Sequence, residues 1–279
     1  MYGSTAARPP VSHKSFGSRE LVQLVVWPLA VVGVVFLLFA NVFHRAESFV
    51  LFAVVLGATV SAGFICAANG DTFRMTKFAF CFAAWGLSAF VGLMSHDLAL
   101  SHYWFLHESN AYANVFPTET AAGFADAGKL SFADGASVDS ARSLGYKDVS
   151  TFCVAPIIDQ MQAPLIQFWA IGVNCCDARG GFQCDGASSP KARSGIVVHD
   201  VTGEYAAAIK MAEAVYNLAS AQKYLLVRWV EDPEAVEMNY WHVGIAVLMA
   251  GMLVFAILFA LSAFGVDIAM RGHTSLFFR

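Results

Sequence analysis

Apolar residues in this chain are gathered into four blocks separated by polar sequence. Leu21–Phe43, Phe49–Ala68, Phe78–Met94 and Trp241–Phe264 contain no Lys, Arg, Asp or Glu, and each approaches or exceeds the roughly 20 residues a helix needs to cross a hydrocarbon core. A polar stretch of roughly 140 residues lies between the third and fourth blocks and holds Cys153, Cys175, Cys176 and Cys184. The pattern predicts an α-helical membrane protein with four transmembrane helices and a small disulfide-stapled α+β extramembrane domain inserted between helices 3 and 4. The expected divisions are a disordered cytoplasmic tail over 1–20, helices over 21–96, the outer domain over 97–239, a fourth helix over 240–265 and a second cytoplasmic tail over 266–279.

Inside the polar stretch the period changes several times. Asn110 to Gly135, rich in Ala, Gly, Asp and Thr, reads as loop, and Ser137 to Leu144 as a short helix stopped by Gly145. Thr151–Ile158, Ile166–Val173 and Gly195–Val201 are rich in Val, Ile and Phe and predict three strands. Glu204 to Val230 returns to helical spacing, with Tyr205, Ile209, Ala212, Tyr216, Ala219 and Leu226 on one stripe, and predicts a helix covering the sheet. Asp232-Pro233-Glu234 has the capping residue, first-turn proline and acidic first turn of a helix start.

Charge assigns sides. Arg8, Lys14, Arg19, Arg74, Lys77, Arg271 and Arg279 all fall at one set of helix ends, whereas Arg45 alone occupies the opposite short loop. Cationic residues mark cytoplasmic loops, so both termini are expected in the cytoplasm, with residues 97–239 outside the cell or in a lumen, at the plasma membrane or an endomembrane. That stretch carries nine Lys and Arg against seventeen Asp and Glu, or −8, and the remainder eight against four, or +4, which recovers the net −4. An acidic exposed domain argues against nucleic acid as a partner. The absence of Lys, Arg, Asp and Glu from the apolar blocks argues against a pump or coupled transporter, leaving a channel or transporter component as the remotest reading.

Four cysteines in the exposed domain are expected to form two disulfides. Adjacent Cα atoms stand about 3.8 Å apart, below the usual disulfide range, so Cys175 and Cys176 each seek another partner. Either Cys153 pairs with Cys175 and Cys176 with Cys184, or the two central cysteines exchange partners. A thiol–disulfide oxidoreductase using the paired cysteines is the alternative reading, although no Cys-x-x-Cys is present. Four thiolates without two Cys-x₂-Cys pairs make a poor zinc site, and His96, His102 and His107 are spaced too far apart along one helix to share an ion, so no metal or cofactor is expected. Glu231, Asp232, Glu234 and Glu237 read as a solvated helix end and not as an acid–base pair. No Ser-His-Asp order, phosphate-binding Gly loop or HExxH occurs, and the chain is read as no enzyme.

In the second apolar block Ala53, Gly57 and Ser61 recur every four residues, as do Ala84, Ser88 and Gly92 in the third, and such stripes let helices pack closely. The short Asn69–Lys77 link makes those two helices neighbours, and the stripes also permit a homo-oligomer. Cys66 and Cys81 lie near cytoplasmic helix ends and are candidate lipidation sites.

Two resemblances follow from these residues. Four spans with a large exposed loop between the third and fourth, carrying Cys175-Cys176, resemble tetraspanins, although Asp177 stands where they have glycine after the pair. Phe152-Cys153-Val154-Ala155-Pro156-Ile157, Phe168-Trp169-Ala170 to Cys175-Cys176, and Arg179-Gly180-Gly181-Phe182 to Cys184 resemble an uncharacterised family of dinoflagellate-type multipass membrane proteins over roughly residues 145–265. The resemblance implies the domain layout and no activity. Together these readings lead to a non-enzymatic scaffold or subunit of a membrane assembly, whose partners are the lipid bilayer and other membrane proteins that meet its outer domain and spans.

Overall fold

The structure, a computed structural model, describes residues 16–159, 165–200 and 202–276. Residues 1–15 of the expected leading tail, with Arg8 and Lys14, and Arg279 lie outside these. The described residues form two compact units, one from 16–101 with 242–276 and the other within 102–241.

The first unit is helical. It contains α1 (Ser18–Asn41), α2 (Glu47–Cys66) and α3 (Thr72–Ser95), together with most of α6 (Pro233–Leu276). The helix of α3 runs on through one π-helical turn, His96–Leu100, into α4 (Ser101–Glu108). Among the described residues four helical rods, Ser18–Asn41, Glu47–Cys66, Thr72–Glu108 and Pro233–Arg271, are long and apolar enough to cross a membrane. Asp71 caps α3 by accepting from the Phe73 and Arg74 N–H groups. Residues 18–20 are already helical, and 266–276, expected as a tail, continue α6. That extension is tied down because buried Asp267 accepts the Phe16 N–H at 3.0 Å and pairs with Arg271 one turn on at 2.8 Å.

Small residues set the helix contacts. A methyl group at Gly92 would stand 2.5 Å from the Phe39 ring on α1, and one at Gly57 on α2 would collide with the Trp85 indole on α3. Ala84 and Ser88 are wholly buried, while Ala53 is half-buried and Ser61 is buried with its hydroxyl donating to the Gly57 carbonyl. The α3 stripe therefore receives α1 through Gly92, and the α2 stripe receives α3 through Gly57. Outward, the same helices expose large apolar side chains, among them Leu37, Phe52, Phe90, Leu253 and Leu261, each more than 60% accessible.

The second unit is built on one mixed sheet of eight strands: β1 (Asn110–Val115), β2 (Ala127–Phe132), β3 (Ser137–Val138), β4 (Leu144–Lys147), β5 (Thr151–Ile158), β6 (Ile166–Val173), β7 (Ser194–Val198) and β8 (Ser220–Val230). Their order is β1-β2-β7-β8-β6-β5, with β3 and β4 both on the outer edge of β5. The pairs β1/β2 and β6/β8 are parallel and the others antiparallel. Strands β5 and β6 begin and end where the sequence predicts. Their alternation splits the core: Cys153, Ala155, Phe168 and Ala170 face one layer, and Val154, Trp169 and Ile171 face the other, which α5 (Glu204–Tyr216) covers with Ala208, Ile209 and Ala212.

Three expectations are overturned here. The helix expected over Glu204–Val230 ends at Tyr216, because Asn217 adopts a left-handed conformation at φ +52°, which asparagine tolerates, and the chain enters β8. Val227 and Trp229 then serve the first layer and Leu226 the second, a two-residue alternation that the helical stripe mimicked. The loop expected over Asn110–Gly135 holds β1, a 3₁₀ turn at Ala121–Phe124 and β2, since Leu130 and Phe132 find burial against β7. The short helix expected over Ser137–Leu144 is β3, a 3₁₀ turn and the start of β4, all drawn onto the edge of β5.

Candidate functional site

The four cysteines of the second unit gather where β5 begins and β6 ends. A turn follows β6 in which Asn174, at φ +57°, donates its N–H to the Thr151 carbonyl at the start of β5 and accepts the Thr151 N–H on its side chain, 2.8 and 2.9 Å. Cys175 and Cys176 leave this turn in succession. The pairing is Cys153–Cys176 and Cys175–Cys184, with Cα separations of 5.8 and 5.0 Å. Of the two arrangements left open by the sequence, this is the one in which the central cysteines exchange partners.

The cluster has a floor. Gly172 on β6 stands opposite Cys153 on β5, and a methyl group there would lie 2.6 Å from both Cys175 Sγ and Cys184 Cβ and collide with Cys184 Sγ. The absent side chain is the space that the sulfurs fill. The loop between the cysteines then returns along the free edge of β4. Gly145 N–H donates to the Ala178 carbonyl at 3.4 Å, and Gly180 N–H to the Ser143 carbonyl at 2.8 Å. Gly180 and Gly181, at φ +77° and +70°, make the reversal that brings Phe182 into the core. The sulfurs of Cys153, Cys175 and Cys184 lie within 4.8 Å of one another. All three are engaged in disulfides, so they present no thiolate to an ion. Cys153 and Cys184 are buried and Cys175 and Cys176 half-buried.

A second polar cluster joins β2 to the first turns of α6. Glu237 accepts from Lys129 Nζ at 2.7 Å through Oε2 and lies 2.9 Å from His107 Nδ1 through Oε1. Its burial raises the carboxyl pKa, but the hydrogen bonds and charges of Lys129 and His107 outweigh that, and the net shift is downward. Glu237, expected as part of a solvated helix end, is thus buried and paired, whereas Glu231, Asp232 and Glu234 are exposed. Asp232 caps α6 by accepting the Ala235 N–H at 3.1 Å. Nothing local marks Lys129 as its partner, because 108 positions separate them. Nearby, Arg228 makes a two-pronged contact with Asp185 at 2.8 and 3.0 Å and donates to Tyr240 at 3.0 Å, and the Asp185 hydrogen bonds raise its guanidinium pKa.

The three histidines stay apart in use. His96 packs edge-on to Phe43, His102 stacks on Tyr240, and His107 stacks on Tyr103. Of the candidate lipidation cysteines, Cys66 is exposed and Cys81 buried, so the two thiols are not equivalent.

No protein family, characterised protein or solved structure matches the chain.

Proposed function

We propose that this is an integral membrane protein that acts without catalysis of its own, as a scaffold or subunit of a larger membrane assembly. The observation that carries the reading is the set of large apolar side chains exposed along four helices of spanning length. Aqueous exposure of so many would cost about 1.5–3 kcal/mol each, and lipid or neighbouring spans remove that cost. The basic residues at one set of helix ends favour cytoplasmic termini and a sheet unit outside or in a lumen, where two disulfides are compatible with the redox environment. The sheet unit offers contacts of its own: Met211 and Val215, one helical turn apart on α5, are 45% and 38% exposed, and Val149, in the β4–β5 turn, is 90% exposed. Tetraspanin-like organisation of membrane partners is the layout this most resembles.

Two measurements test the reading. Val149→Asn creates an Asn-Ser-Thr acceptor with Ser150 and Thr151 in an exposed turn. Expressed in eukaryotic cells, this variant gains a glycan that an endoglycosidase removes, and a protein that never acquires it overturns the outside placement. Cross-linking followed by native mass measurement in mild detergent returns a second copy or a membrane partner, and a strictly monomeric, partner-free protein sinks the scaffold reading.

A further inference from the structure

The two disulfides are close enough to act on one another. Cys153 belongs to one bond and Cys175 and Cys184 to the other, yet these three sulfurs lie within 4.8 Å of one another, whereas Cys176 Sγ stands outside that group. Gly172 enforces the crowding, since its missing side chain lets Cys175 and Cys184 settle over the strand position that faces Cys153. Access is unequal too: Cys153 is fully buried and Cys184 2% exposed, while Cys175 and Cys176 are half-buried.

We propose that the four cysteines form a thiol–disulfide exchange site for a small monothiol of the glutathione class, in which an incoming thiol relocates a disulfide instead of merely opening one. This exchange is stoichiometric and not catalytic, stands apart from the scaffold reading and survives its failure. Exchange proceeds by attack of a thiolate on one sulfur of a disulfide with departure of the other. The external thiolate attacks Cys176 Sγ, a mixed disulfide forms there, and Cys153 Sγ leaves as a thiolate. That thiolate is sealed in the core beside the second disulfide, and its attack on Cys175 or Cys184 forms a new bond to Cys153 and expels the other sulfur as a thiolate. Each step breaks one sulfur–sulfur bond and forms one, so the disulfide count is conserved. The external thiol ends on Cys176, and its proton passes through solvent to the sulfur finally released.

The test uses the full chain in mild detergent. One equivalent of reduced glutathione is added, thiols are trapped with N-ethylmaleimide, and modified positions are mapped by electron-transfer mass spectrometry. The expected product carries glutathione on Cys176 and maleimide on Cys175 or Cys184, several-fold more than on Cys153. Glutathione on Cys176 with maleimide confined to Cys153 and an intact Cys175–Cys184 bond overturns the proposal. Two variants repeat the test without added thiol. Cys176→Ser leaves the Cys153 thiol beside the second disulfide, so maleimide should appear on Cys175 or Cys184. Cys153→Ser leaves the thiol on Cys176, outside the group, so maleimide should stay there. Equal scrambling in both variants, or none in Cys176→Ser, contradicts the geometry, and the wild-type arm remains decisive if either variant fails to fold.

Discussion

Gly172→Ala should be a strongly damaging single-methyl change in the sheet unit. The new carbon would meet Cys175 Sγ and Cys184 Cβ at 2.6 Å each, and Cys184 Sγ more closely still. Neither residue moves independently, because the Cys175–Cys184 bond holds both. Overpacking a core by one methyl costs about 1–3 kcal/mol, and this site lies at the upper end because its neighbours are cross-linked. Replacing a strand glycine recovers about 0.5–1 kcal/mol of chain entropy, which leaves a net loss of about 2 kcal/mol. For a unit of about 140 residues this corresponds to a fall in Tm of about 7 °C. Tryptophan fluorescence melting of the full chain in detergent reads it, since Trp169 and Trp229 are buried on opposite faces of the sheet. Gly123→Ala, where nothing lies within 4 Å of the added carbon, is the control and should melt with the wild type. If Gly172→Ala also melted within 1 °C of wild type with both disulfides intact, the claim that the sulfurs fill the glycine's space would be wrong.

Other changes separate the remaining contacts. Lys129→Met leaves the Glu237 carboxylate, only 11% exposed, with its chief cation removed, and should cost about 3 kcal/mol in chemical denaturation; a loss under 0.5 kcal/mol would remove this pair from the fold's stability. The depressed Glu237 pKa means that its stabilisation is present above the unfolded carboxyl pKa and is lost as pH falls through the lower folded value, so Glu237→Gln should flatten the acid limb of the Tm profile and leave the slope above pH 6 unchanged. Gly92→Ala should push α1 from α3 and lower the melting temperature of the helical unit, whereas Gly86→Ala, which meets nothing within 4 Å, should be silent. Maleimide should label Cys66 in the folded protein and Cys81 only after unfolding, and equal labelling rates would contradict their different burial.

What could be read in advance divides along physical lines. The apolar helices announce themselves by long runs without a charge, and β5 and β6 by near-continuous burial of their side chains, so composition alone marks both. β1, β2 and β4 are poor in β-branched residues and owe their conformation to the strands they pair with, a tertiary effect without a local trace. The Glu204–Val230 stripe fails for another reason: a helical period and a strand period coincide at enough positions that only Asn217 separates them. The cysteines were visible as a set, but their pairing depends on which Cα atoms the sheet brings within reach.

The disulfide pairing also decides how the chain answers a cut. The bonds are crossed in sequence, since Cys175 lies inside the loop closed by Cys153 and Cys176, and its partner Cys184 lies outside it. Any single backbone break between Cys153 and Cys184, even at the bond joining Cys175 to Cys176, leaves at least one bridge between the two sides. An uncrossed pairing would have let a break at that bond separate the halves. A protease that nicks this segment therefore changes nothing in the protein's mass on a non-reducing gel, and the helices on both sides stay covalently joined until a reductant arrives.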